Sequence, residues 1–115
     1  MEKEFIPYEQ ALALKELGFD EPCIACYDKL NMLATYSENL FEHKNYNTSG
    51  YCVSAPLYQQ AFRWFREKYD IFGYCYIPNE SGYWGHSFEN KAKYDTYKEA
   101  ELEFLKELIE IVKNL

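Results

Sequence analysis

The stretch Tyr58-Gln59-Gln60-Ala61 opens a predicted helix, and the same form, Tyr-x-x-Ala, opens two others, Tyr8-Glu9-Gln10-Ala11 and Tyr97-Lys98-Glu99-Ala100. A tyrosine one turn before an alanine places a large and a small side chain on one helix face, where a sheet or another helix can approach closely. The spacings between the three copies are unequal, which argues against a solenoid of fixed period. The pattern therefore predicts three packed helices and indicates no chemistry.

The first helix is predicted over residues 7–17. Pro7 suits the first position of a helix, and Gly18 suits its end. With Gly18 in the left-handed conformation, Phe19 would lie where a Schellman motif places its apolar contact, against Leu14.

The second helix is predicted over 55–69 with Ser54 as its N-cap, and the third over 96–113, where Thr96 and Glu99 have the spacing of a capping box. The apolar residues of the third helix cover an arc of about 200°, whereas a one-sided surface helix needs roughly 100°. Either neighbouring elements cover both flanks, or part of the helix contacts a second copy. We expect a homodimer that uses part of this surface.

Short strands are predicted between the first two helices. Residues 23–27 form an apolar run typical of a strand, and residues 30–36 alternate as a half-buried second strand does, with Asp28-Lys29 as the turn. Leu30, Leu33 and Ala34 also share one helical face, so both alternatives stay open. The polar, asparagine-rich segment Ser37–Gly50 is predicted as a loop, at about fourteen residues longer than most connections.

The clearest hairpin follows the second helix. Residues 72–77 alternate, 79–82 supply a turn and 83–88 return as a partner strand. With a further strand at 51–53, the order is α-β-β-β-α-β-β-α. Short turns favour antiparallel pairing, so we predict an α+β fold in which three helices pack mainly on one face of a small antiparallel sheet.

Composition sets broad limits on the class of protein. The chain has 115 residues, of which 48% are hydrophobic and 19% aromatic, and a formal net charge of −7. It is too apolar for a disordered segment, and its size predicts a single globular domain over residues 1–115. The negative charge argues against non-specific binding to nucleic acid or to anionic lipid. Without an apolar leader or a span of roughly 18 apolar residues, we expect a soluble cytoplasmic protein.

Four cysteines raise the question of a metal or redox site. Cys23 and Cys26 form a C-x-x-C pair, and Cys52 and Cys75 bring the number of thiols to four. In a strand, the two thiols of the pair would point to opposite faces, and no helix start follows them to activate a thiol. We therefore predict reduced cysteines that act as small core residues, with no bound metal or cofactor, over the alternatives of structural zinc or redox chemistry.

Two segments carry candidate contact residues. Arg63-Trp64-Phe65-Arg66 interleaves basic and aromatic residues, so Arg63 and Arg66 either form a solvated basic face or contact a phosphate-bearing ligand or an acidic partner. Tyr83-Trp84-Gly85-His86 could line a stacking pocket or form an ordinary aromatic hairpin. We select Arg63, Arg66, Tyr83, Trp84 and His86 as candidate contacts.

The chain contains two histidines, His43 and His86, and neither lies beside a nucleophile or a carboxylate pair in the sequence. No catalytic residues are therefore predicted, because no constellation of nucleophile, base or metal ligands can be assembled from neighbouring residues.

The segments Ile6–Cys23 and Ser54–Tyr69, with the acidic opening of the last helix, resemble small proteins of unassigned activity from Bacteroidales gut bacteria and their phages. The likeness covers the two terminal regions and the central helix, and it transfers no site residue. It implies an accessory protein of a phage or mobile element, of a kind that often binds host components.

Together these features predict a non-enzymatic binding protein. Its contact surface would lie in the Ser37–Gly50 loop and the Tyr83–His86 hairpin, because loops on a rigid scaffold commonly carry recognition. Its partner would be another protein or a second copy of the chain. Two alternatives are a nucleotide-sequestering protein, with Arg63 or Arg66 beside an aromatic pocket, and an acidic nucleic-acid mimic that binds a basic host protein.

Overall fold

The computed structural model describes residues 2–35, 44–48, 50, 52–77, 83–89 and 92–115. The helices are α1 (Tyr8–Glu16), α2 (Tyr58–Tyr69) and α3 (Tyr97–Lys113), and the strands are β1 (Ala25–Tyr27), β2 (Leu33–Thr35), β3 (Val53–Ser54), β4 (Cys75–Tyr76) and β5 (Gly85–His86). Within these ranges, short 3-10 helices span Glu2–Glu4 and Tyr46–Thr48.

The α+β class, the order of elements and the antiparallel pairing are confirmed. The strands form two sheets rather than one, with orders β2-β1-β3 and β4-β5. The chain divides into two compact units, residues 1–60 and 61–115.

Each α-helix begins at the tyrosine of its Tyr-x-x-Ala pattern. The alanine one turn later is fully buried in all three helices, at Ala11, Ala61 and Ala100. A methyl side chain keeps the backbone of the first turn close to its neighbours, whereas a larger residue would hold them apart. In each helix the pattern therefore marks a first turn whose small residue is fully buried.

A Schellman motif ends α1 as predicted. Gly18 has a φ of 93°, in the left-handed region. The Phe19 amide donates to the Leu14 carbonyl at 2.9 Å, and the Gly18 amide donates to the Lys15 carbonyl at 3.0 Å. Phe19 and Leu14 are both buried, which seals the end of the helix against the core of the first unit.

The central strand β1 organises residues 1–60. It pairs with β2 on one side and β3 on the other, and all three of its residues are buried. The Tyr27 hydroxyl donates to the Ile6 carbonyl at 2.6 Å, and the Ile6 amide donates to the Pro56 carbonyl at 3.0 Å. These bonds tie the segment before α1 to the sheet.

The predicted start of the second helix was wrong. Helix α2 begins at Tyr58, and Ser54 is a buried β3 residue whose Oγ accepts a hydrogen bond from the Tyr46 amide at 2.9 Å. Pro56 disfavours the helical conformation of Ala55, and the Ala55 amide instead donates to the Ala25 carbonyl at 3.0 Å. The pairing of β3 with β1 therefore overrode the capping preference of Ser54.

The predicted second strand began too early. Strand β2 starts at Leu33, and Leu30 and Met32 lie in the turn, where they are 81% and 62% exposed. Asp28 determines this turn, because its Oδ1 accepts hydrogen bonds from the Leu30 and Met32 amides at 2.9 and 3.0 Å. A short aspartate side chain commonly stabilises turns in this way.

Several predicted segments fall partly or wholly on residues that the structure does not describe. Of the predicted Ser37–Gly50 loop, only 44–48 and 50 are described, and the hairpin turn at 79–82 lies outside the described residues. Of the strand predicted at 51–53, Tyr51 is outside them, and β3 itself is Val53–Ser54.

The broad apolar arc of α3 is largely buried within a single chain. Its buried residues are Ala100, Glu101, Phe104, Leu105, Leu108, Ile109 and Val112. Thr96 caps the helix by accepting a hydrogen bond from the Glu99 amide at 3.1 Å, as predicted. The breadth of the arc is therefore explained without a second copy of the chain. Self-association through α3 stays a prediction, but the arc no longer provides the reason for it.

We expect Gly18→Ala to destabilise the protein by about 1 kcal/mol or more, because a Cβ is strained at a positive φ. Gly50→Ala is the matched control, since its added Cβ would meet no atom within 4 Å and its φ lies outside the left-handed region. Urea denaturation followed by circular dichroism measures both variants. Equal losses in the two would contradict the role assigned to Gly18.

Candidate functional site

The β4–β5 hairpin has an inner face that packs on α3. Cys75 pairs with His86 and Tyr76 pairs with Gly85 across the two strands. Because side chains alternate along a strand, Cys75, Trp84 and His86 fall on one side, and Tyr76 and Tyr83 on the other. The first side is the inner one, since the His86 ring stacks on Phe104 of α3 at 5.7 Å between centroids.

His86 is a packed core residue rather than an exposed contact. Its exposure is 0%, and its ring lies parallel to the rings of both Tyr94 and Phe104. Nδ1 accepts a hydrogen bond from the Phe88 amide at 3.3 Å, and Nε2 is the ring nitrogen that faces Glu89. Nε2 is 3.3 Å from Glu89 Oε1, close enough for an ion pair but without the alignment of a hydrogen bond.

Glu89 joins three neighbouring side chains. Its Oε1 accepts a hydrogen bond from the Tyr94 hydroxyl at 2.8 Å, and its Oε2 lies 3.6 Å from Lys93 Nζ. Burial acts to raise the pKa of Glu89, but the Tyr94 hydrogen bond and the charges of His86 and Lys93 outweigh it and lower the pKa. Burial and the Glu89 carboxylate raise the pKa of Tyr94, which keeps the phenol protonated as a donor.

Two glycines allow close approach around the hairpin. A Cβ on Gly73 would lie 2.6 Å from the Phe104 ring and 2.6 Å from Ser87 Oγ. A Cβ on Gly85 would lie 3.0 Å from Ala92 Cα and 3.3 Å from the Tyr76 ring. The missing side chains therefore let the inner face reach α3 and let Tyr76 and residue 92 lie over β5.

The outer face of the hairpin is aromatic and exposed. Phe72 and Tyr74 are 67% and 65% exposed, and Tyr83 is 48% exposed. Tyr74 and half-buried Tyr76 lie with their rings 5.9 Å apart, as expected for residues two apart on one side of a strand. An outward strand face is usually polar, so an aromatic one is a candidate contact surface. We call Phe72, Tyr74, Tyr76 and Tyr83 the outer hairpin face.

The sequence-selected residues do not form one site. Of the hairpin residues, Tyr83 lies on the outer face, whereas Trp84 is half-buried with its ring edge-on to Tyr97 of α3 at 5.1 Å and His86 is fully buried. The sequence predicted the hairpin correctly but did not distinguish its two faces.

Arg63 and Arg66 lie on α2, where Arg63 is exposed and Arg66 half-buried. Trp64 between them is 4% exposed, and its ring packs on Phe65 and Tyr69. A ring buried in this way cannot stack on a ligand base. His43, the other histidine, lies outside the described residues.

Glu89 and Tyr94 were missed by the sequence analysis. The spacing of His86 and Glu89, at i and i+3, was a possible signal. Residues at this spacing come into contact only where the chain turns, and here Ser87 and Phe88 form the turn. Tyr94 reaches Glu89 because residues 93 and 94 bond to Trp84, at 3.0 Å from the Lys93 amide and 2.9 Å from the Tyr94 amide. That pairing joins residues about ten positions apart, so no short sequence pattern around Glu89 or Tyr94 could have predicted it.

The four cysteines are free thiols. Burial raises the pKa of Cys23 to about 12, and burial with the charge of Glu101 raises that of Cys75 to about 11, so both stay protonated near neutral pH. In the described ranges, no three His, Cys, Asp or Glu side chains are grouped to hold a metal ion. The same ranges contain no helix long and apolar enough to cross a bilayer.

A scan of protein-family models found no match to the chain, and searches of the curated proteins and of the solved structures found no significant match either.

We expect Glu89→Gln to lower the free energy of unfolding at pH 7 by about 1–2 kcal/mol, because the amide keeps an acceptor for Tyr94 but loses the charge facing His86 and Lys93. The lowered pKa of Glu89 means that its contribution is complete above the ordinary carboxyl pKa and is lost as the pH falls through the folded-state pKa. The stabilities of the native protein and the variant should therefore converge as the pH falls below the folded-state pKa of Glu89.

Chemical denaturation between pH 3 and pH 7 measures this convergence. Glu67→Gln, at an exposed position of α2, is the control and should change stability by less than about 0.5 kcal/mol. A constant difference between the native protein and Glu89→Gln at every pH would contradict the role of the carboxylate charge.

Proposed function

We propose that this chain is a non-enzymatic binding protein and that the outer hairpin face is its contact surface for a protein partner. The observation that carries the proposal is the exposure of Tyr74 and Tyr83 on a face that alternation turns away from α3, together with exposed Phe72 shortly before β4. Aromatic residues are enriched in protein interfaces because each supplies a large contact area while losing little side-chain entropy.

The support beneath this face favours recognition. On the inner side, Trp84 contacts Tyr97 and His86 stacks on Phe104, so the hairpin is held against a long helix. A surface whose backbone is already fixed loses less entropy on binding than a mobile loop does. The outer aromatic side chains are therefore presented on a rigid base.

The burial of His86 supports a non-enzymatic role. A general base must reach the proton that it removes, directly or through one water molecule. The His86 ring has an exposure of 0% and lies between Tyr94 and Phe104, where its neighbours explain it as a packing residue.

No specific contact supports either alternative, nucleotide sequestration or nucleic-acid mimicry. A nucleotide pocket beside Arg63 and Arg66 would use the Trp64 ring, which is buried. A nucleic-acid mimic would align carboxylates, whereas those of α3 alternate with lysines in three ion pairs: Glu101 with Lys98, Glu103 with Lys106, and Glu110 with Lys113. The resemblance to phage and gut-bacterial proteins supports a cytoplasmic accessory protein of phage or mobile-element origin as part of the proposal.

Site-specific photo-crosslinking tests the proposed surface. A photoreactive phenylalanine derivative is placed at Tyr74 or Tyr83 in cells that naturally produce the protein, and at exposed Glu67 of α2 as the control. We expect one protein partner to be captured from both hairpin positions and not from residue 67. A product of twice the chain mass would identify that partner as a second copy.

The affinity of the captured partner provides the quantitative test. Tyr74→Ser should weaken its binding by about tenfold or more, as is common for an aromatic residue at the centre of an interface, while Glu67→Ser should leave it unchanged. Because Tyr74 is 65% exposed, the substitution should not alter the fold.

Equal capture from all three positions would contradict the proposed surface. Substrate turnover that is lost in His86→Ala while the fold is retained would contradict the non-enzymatic role.

A further inference from the structure

The two edges of the β4–β5 sheet differ. On the β5 side, Trp84 exchanges two backbone hydrogen bonds with Tyr94, at 2.7 and 2.9 Å. On the far side of β4, no strand of the described residues is paired with it. An unpaired strand edge is a template for another strand, because its N–H and C=O groups repeat at the spacing of a β-ladder.

The hydrogen bonds of the hairpin show which backbone groups face this open edge. The Ser87 amide donates to the Tyr74 carbonyl at 2.9 Å, so these two residues form a hydrogen-bonded pair. In an antiparallel ladder such pairs alternate with pairs that exchange no bonds, and the next pair is Cys75 with His86. The amide and carbonyl of Cys75 therefore point away from β5, towards the open edge.

The open edge lacks the features that usually prevent strand pairing. The segment Phe72–Ile77 contains no charged residue and no proline. Proteins commonly protect an exposed edge with lysine, proline, a bulge or a covering segment, whereas aromatic and β-branched residues favour pairing. Phe72, Tyr74 and Ile77 are all exposed. An edge of this composition is suited to pairing with another strand.

The sequence of the edge is nearly symmetric about Cys75, because Tyr74 and Tyr76 flank it. If a second copy of β4 lies antiparallel with Cys75 opposite Cys75, the outward groups of these two residues bond to each other across a two-fold axis. Each Tyr74 then lies opposite Tyr76 of the other copy. Such pairs exchange no hydrogen bonds and bring their side chains closest, and aromatic pairs at these positions stabilise a sheet.

We propose that β4 pairs antiparallel with β4 of a second copy of this chain, in the register that sets Cys75 opposite Cys75, to form a four-stranded sheet. This pairing makes the second copy the protein partner of the outer hairpin face and in that respect rests on the proposed function. The tyrosines of both copies then form one continuous aromatic surface. An interface of two short strands belongs to the small, transient class, so the dimer is reversible.

Sedimentation equilibrium of the full chain measures the association, at concentrations from about 1 µM to about 1 mM, which cover the affinities of weak interfaces. We expect the mass to rise from 13.8 kDa at the lowest concentration towards twice that value at the highest. A mass of 13.8 kDa at every concentration would overturn the proposal.

Tyr74→Lys tests the contribution of the tyrosine pairs. It removes both aromatic pairs and places two like charges diagonally across the axis, so it should weaken dimerisation by about tenfold or more. Glu67→Lys, at an exposed position of α2, is the control. Both changes make the net charge of −7 less negative and so reduce overall repulsion, but only Tyr74→Lys should weaken the dimer. Equal dimerisation constants of the two variants would contradict the pairing.

Engineered disulfides test the register. In a Cys75→Ala background, the Tyr74→Cys chain is mixed with the Tyr76→Cys chain in a buffer of oxidised and reduced glutathione. Opposite residues that exchange no hydrogen bonds have Cα atoms about 4.5 Å apart, within disulfide range, whereas the two copies of residue 74 are diagonal neighbours at about 7–8 Å. We expect a disulfide-linked dimer from the mixture and not from either variant alone, above the background of the Cys75→Ala chain.

A crosslink from Tyr74→Cys alone that equals that of the mixture would indicate a parallel or shifted pairing and would overturn the proposal. The same holds if the mixture gives no crosslink above background.

The photo-crosslinking experiment distinguishes this pairing from the proposed function. A monomer whose positions 74 and 83 capture a different protein would overturn the pairing of β4 and leave the proposed contact surface intact. A dimer in the expected register, with a photo-product of twice the chain mass, supports both. A monomer that captures no protein from either position would overturn both.

Discussion

The packing of Phe104 is the contact on which the second unit depends. Its ring lies 4.8 Å from Phe62 of α2, 5.7 Å from His86 of β5 and 5.4 Å from Phe88 beyond that strand, measured between centroids. Gly73 approaches the same ring so closely that a Cβ there would clash with it. One side chain of α3 thus contacts a second helix and both arms of the hairpin. The strands are too short to be stable through hydrogen bonds alone, and the buried aromatic rings supply the additional stabilisation.

This packing also explains why the hairpin has two different faces. A two-stranded sheet is marginally stable by itself and needs a helix or a further strand to cover one side. Here α3 covers the side with Cys75, Trp84 and His86, and alternation then turns Tyr74 and Tyr83 away from it. The aromatic content that suggested a stacking pocket is therefore divided between structural support and exposed surface.

The first unit is organised by backbone bonds rather than by aromatic packing. Strand β1 is paired on both edges, and the Ile6 and Ala55 amides complete the connections around it. This arrangement places residues of α1, the Asp28 turn and the residues just before β3 around one polar cleft. Lys15, Lys29 and Cys52 lie between 14 and 37 residues apart in the sequence, so only the fold brings them to the wall of one cleft.

The local sequence determined the starts of α1 and α3, the Schellman end at Gly18, the Thr96 cap and the hairpin alternation, because each depends on residues within about one turn or one strand pair. Tertiary structure decided the start of α2, because Ser54 belongs to β3 and its hydroxyl accepts a bond from Tyr46 instead of capping the helix. It also decided the exposure of Leu30 and Met32, which lie in the turn that Asp28 stabilises rather than in strand β2. It also decided which hairpin residues are buried. Alternation assigns residues to two faces, but which face is covered depends on where a distant helix packs, and that is a property of the whole chain.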